Sequence, residues 1–125
     1  MDKHALEKYA RLVIKTGLNL QQGQILVINS PIECAEFTRI IAEIAYKEGA
    51  KDVAVFWKDE LTSKIRYLHA PEEVFDSIPE WQRVFYHNYA LQGAAFLSIA
   101  AEDPELMKDV NPERMMRAQR AFSTT

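Results

Sequence analysis

Several things that would give a sequence away are missing from this one. A single cysteine, Cys34, excludes an internal disulfide and makes a reducing compartment the simpler setting. No apolar run reaches the length of a membrane span, and the opening Met1-Asp2-Lys3-His4 lacks the apolar core of a signal peptide. These absences point to a cytoplasmic protein with no membrane partner. A basic face is missing too. Lys and Arg total 15 against 18 Asp and Glu, giving a net charge of −3, and the cations are scattered among acidic neighbours. That pattern argues against binding nucleic acid, which needs clustered Lys and Arg.

Recognisable catalytic and nucleotide-binding motifs are missing as well. After the first apolar run, where a dinucleotide fold or a P-loop would place its glycines, the chain reads Asn29-Ser30-Pro31-Ile32-Glu33. Neither nucleotide motif is present, although a looser phosphate grip at a helix start stays open. No serine lies in a G-x-S-x-G elbow. A hydrolytic metal site needs three or more His, Asp, Glu or Cys side chains that converge. The histidines, His4, His69 and His87, fall on different predicted helices and form no H-x-x-x-H pair. His69 precedes Pro71-Glu72-Glu73 and could approach a carboxylate, but its plainer role is capping backbone groups at a helix entry. Cys34 falls on the apolar stripe of its predicted helix, where it reads as a small buried hydrophobe rather than a nucleophile.

What is present reads as one soluble domain. The 125 residues, 48% of them hydrophobic, can bury a real core. Residues 4–16 carry Ala5, Leu6, Tyr9, Leu12 and Val13 at helical spacing, with Gly17 placed for a left-handed cap. A polar loop over 19–24 leads to Ile25-Leu26-Val27-Ile28, an unbroken apolar run that predicts a strand covered on both faces. Pro31 bars further ladder bonding and can open a helix. From Glu33 to Glu48, Cys34, Phe37, Ile40, Ile41, Ile44 and Ala45 make one stripe, opposed by Glu36, Arg39, Glu43 and Lys47. Gly49 closes this helix. Asp52 to Trp57 predicts a second buried strand, completing a βαβ unit.

Residues 59–93 read as helical. Pro71 and Pro79 begin segments there, and Trp81, Val84, Phe85, Tyr89 and Leu91 are candidates to pack inward. Gly93 ends this region, and residues 94–100 form a third short apolar strand. Asn111-Pro112 marks a further capped helix start. The order of elements predicts a three-layer α/β domain with a small, mainly parallel sheet. The thin sheet and the abrupt end at 121–125 suggest that a further part of the protein is missing.

Ligands of open α/β sheets bind outside the carboxyl ends of the strands. That rule selects Asn29 and Ser30, then Trp57 and Lys58 with Asp59 and Glu60, then residues 101–103. Their plainer readings are turn and capping residues and a solvated loop. The surface we single out is Asn29, Ser30, Trp57 and Lys58.

Several stretches carry a resemblance when taken in order. They are Leu6 to Leu12 with Gly17-Leu18-Asn19 and Gln22-Gly23-Gln24, Val27 to Glu33, Ala45 to Val53, His69 to Glu73, Pro79-Glu80-Trp81, and Gly93 to Ile99. Together they resemble the start of the thermophilic-type metallo-aminopeptidases, the group of aminopeptidase T, aminopeptidase S and PepS, over nearly the whole chain. The resemblance implies a cytoplasmic homodimeric exopeptidase that removes N-terminal residues from peptides with two divalent metal ions, zinc, cobalt or similar. In that family the Glu, His and Asp metal ligands lie further on, so no catalytic, cofactor or metal residue carries over to positions 1–125. The resemblance therefore implies that this chain is the N-terminal, non-catalytic α/β domain of a larger enzyme and is inactive alone. The residues themselves also leave open a free-standing α/β interaction or dimerisation module.

Overall fold

The computed structural model describes residues 3–100. These divide into two compact units, residues 3–58 with 89–100, and residues 59–88. The predicted helix at Asn111 and the strand-end residues 101–103 lie outside the described residues.

The first unit is built on three parallel strands, β1 (Ile25–Pro31), β2 (Asp52–Lys58) and β3 (Ala95–Ser98), in the order β2-β1-β3. Two helices of this unit, α1 (Lys3–Leu12) and α2 (Ala35–Lys47), pack with the sheet around one core. The mixed α/β class and the small parallel sheet agree with the reading of the sequence. Alternation along the strands directs Leu26 and Ile28 into this core, where they meet Ala10, Ile14, Ile41, Ile44 and Ala45. In-register neighbours extend it, Val53 and Val55 on β2 and Ala95 and Leu97 on β3.

Several details depart from expectation. The inward stripe of α1 and the turn that follows it is Leu6, Ala10 and Ile14, with Leu6 half-buried, whereas Tyr9 and Leu12 are exposed. Tyr9 lies against the Phe37 ring with centroids 5.6 Å apart. The small Ala10 suits the close approach of a helix, so the buried face is rotated from the one its bulkier residues mark out. Gly17 does not take the left-handed cap. The helix instead widens into a π-turn over Val13–Gly17, with the Leu18 N–H donating to the Val13 carbonyl at 2.8 Å. The extra residue in that turn delays the reversal to Asn19, which adopts φ +50°.

The third departure is β2. Its residues 53–56 are only half-buried and its ends are exposed, because it flanks β1 rather than occupying the middle of the three. An apolar run alone does not say which strand is central. Fourth, β1 runs on through Pro31, its last residue, and a 3-10 turn (Ile32–Cys34) precedes α2. Cys34 consequently occupies the N-cap position of α2, half-buried and without a side-chain capping bond, instead of joining the buried stripe.

Loops lock the strand entrances together. Gly49 closes α2 with φ +104°, and its carbonyl accepts the Gly23 N–H at 2.7 Å. The Gln24 side-chain amide donates to the Gly93 carbonyl at 3.0 Å, joining the entry of β1 to that of β3.

In the second unit, Asp59 starts α3 (Glu60–His69) by accepting the Leu61 N–H at 3.3 Å and the Thr62 hydroxyl at 2.7 Å. Pro71 precedes a 3-10 turn (Glu72–Asp76) that buries Phe75. The Tyr67 ring stacks on Phe75 with centroids 5.5 Å apart, and the Arg66 guanidinium lies 5.0 Å from the Phe75 centroid. Helix α4 (Glu80–Leu91) follows Pro79 and crosses from the second unit into the first. Phe85 and Tyr89 are half-buried, but Trp81, Val84 and Leu91, also expected inward, are exposed.

Candidate functional site

Parallel pairing brings the carboxyl ends of β1 and β2 level. Asn29 stands opposite Phe56, Ser30 opposite Trp57, and Pro31 opposite Lys58. The four residues singled out from the sequence are therefore neighbours at one end of the sheet. Alternation then divides them, since successive side chains along a strand point to opposite faces. Ser30 and Trp57 share one face, Asn29 and Lys58 the other.

Ser30 leaves the candidate surface altogether. It is fully buried, and its hydroxyl lies 2.7 Å from the Thr38 hydroxyl of α2 and 3.0 Å from the Pro31 carbonyl. With one proton each, the consistent arrangement has Thr38 donating to Ser30 Oγ and Ser30 donating to Pro31. A hydroxyl committed in this way fastens a helix to a strand. Thr38 itself, buried in the apolar stripe of α2, is the partner that the sequence reading overlooks. Its signal is a β-branched hydroxyl within the helical repeat of Ile41 and Ala45.

The other three stay nearer the surface. Trp57 is 43% exposed and Lys58 is exposed, so β2 ends in an indole and an ammonium pointing to opposite faces. Asn29 is half-buried, and its carbonyl accepts the Ile99 N–H at 2.8 Å. Next to Lys58, Asp59 is occupied as the cap of α3.

Strand order adds one more residue. The chain steps from β1 to β2 on one side and then to β3 on the other, so the switch point of the sheet lies between β1 and β3. Asn29 and Ser98 face each other across it. Ser98 could not be singled out before the strand order was known. Chemically, this sheet end offers amide, hydroxyl, ammonium and indole groups suited to binding. Among the described residues, no three His, Cys, Asp or Glu side chains are grouped to hold a metal ion. His4, His69 and His87 are exposed on α1, α3 and α4. Among the described residues, no helix is long and apolar enough to cross a membrane.

Comparison with known proteins decides the family. The model of the thermophilic metalloprotease family, M29, matches residues 2–125. The chain belongs to the M29 family. This M29 chain is 47% identical to aminopeptidase 2 of Geobacillus stearothermophilus over 115 residues, 92% of the chain and 28% of the relative. It is 40% identical to aminopeptidase T of Thermus thermophilus over 119 residues, 95% of the chain and 29% of the relative. The solved structure of wild-type AmpT from Thermus thermophilus matches with a TM-score of 0.83 at 39% identity, covering 95% of the M29 chain and 30% of that structure. The chain thus spans less than a third of the length of the relatives it matches.

Proposed function

We propose that this chain is the N-terminal, non-catalytic α/β domain of a metal-dependent aminopeptidase that releases N-terminal amino acids from peptides. The observation carrying the proposal is an alignment that fills 92% of the chain yet only 28% of an aminopeptidase 47% identical to it. A piece that aligns over nearly all of its own length to a small share of a longer relative is best read as one part of the same enzyme. In this reading the enzyme works in the cytoplasm as a homodimer and holds two divalent ions, zinc, cobalt or similar, in its remaining part. Two such ions can activate a water and stabilise the developing oxyanion. No described residue is assigned to hold them, and no step of the reaction is assigned to this chain. Its contribution is a folded support whose sheet end presents Asn29, Trp57 and Lys58 to the rest of the enzyme.

The test compares two purified polypeptides on aminoacyl-nitroanilides with zinc, cobalt or manganese. One is the 125-residue chain, and the other is the same chain continued through its genomic reading frame. Release of nitroaniline by the longer polypeptide alone is the expected result. Metal-dependent turnover by the 125-residue chain that persists through repurification overturns the non-catalytic assignment. A reading frame that stops at Thr125 favours the free-standing interaction or dimerisation module instead.

A further inference from the structure

We draw no further inference here: the strongest candidate, the exposed apolar stripe of Leu61, Ile65 and Leu68 along helix α3, carries nothing because nothing in the structure shows what covers it.

Discussion

Ser30 at the end of β1 and Thr38 in the first half of α2 meet through their hydroxyl groups at 2.7 Å, both of them buried. The contact ties the helix to the strand through a buried pair of polar groups. A buried hydroxyl stripped of its partner keeps its desolvation cost, about 1–3 kcal/mol. Ser30→Ala takes this partner from the buried Thr38 hydroxyl and should destabilise the protein by about that amount in urea titrations. Thr38→Val should cost less, because Ser30 keeps its bond to the Pro31 carbonyl. The double substitution removes both polar groups, so it should cost less than the two single losses combined, with a coupling of about 0.5–3 kcal/mol. Simple additivity would mean that the two hydroxyls do not interact.

The centre of the core should be intolerant of truncation. Ile28 and Ile41 are both fully buried in the cluster joining β1 to α2. Replacing either with Ala should lower stability by about 2–5 kcal/mol through lost transfer energy and a residual cavity. Leu61→Ala is the contrasting control, because Leu61 is 59% exposed and such surface changes stay within about 0.5 kcal/mol. Similar losses at all three positions in denaturant titrations would contradict the core described above.

Two glycines should respond with opposite signs. At Gly49, φ is +104° and an added Cβ would come within 3.0 Å of Gln22 Cγ, so Gly49→Ala should cost about 1–3 kcal/mol. Gly17 lies in the π-turn without a left-handed φ, and an added Cβ there meets nothing within 4 Å. Gly17→Ala should therefore stabilise by about 0.4–1 kcal/mol, by restricting the unfolded chain. Thermal melts of the two variants on either side of the parent would bear this out, and a lower melting point for Gly17→Ala would count against the assigned turn.

The parts of the fold legible in the sequence are those where pattern and packing coincide. The run at 25–28 and the stripe through Ile40, Ile41, Ile44 and Ala45 can be buried in only one way, and they are buried so. The misread parts share a cause, which is that pairing and close approach are not local properties. The stretch from Asp52 to Trp57 reads as a buried strand, yet it flanks β1 and is at most half-buried. Trp81, Val84 and Leu91 compete with Phe85 and Tyr89 for the inward face of α4, and spacing does not choose between them. At the candidate site, the strand ends could be placed from the chain order, but the loss of Ser30 to Thr38 depends on α2 folding back over β1. Ser98 joins Asn29 only through the strand order.

The middle position of β1 also has a kinetic consequence. Its two ladders demand very different excursions of the chain: Ile25 reaches Asp52 through a single helix, whereas Leu26 reaches Ala95 only after everything between has been spooled out. Equilibrium barely registers the difference, since each doubling of a flexible loop adds only about 0.6 kcal/mol. Folding speed is more sensitive to it, because distant pairings must be closed before they repay their entropy. The β1–α2–β2 segment should therefore serve as the template on which β3 is laid down last. In stopped-flow refolding, Ile41→Ala should slow folding, while Leu97→Ala should chiefly hasten unfolding. The reverse pattern would place the long-range closure first.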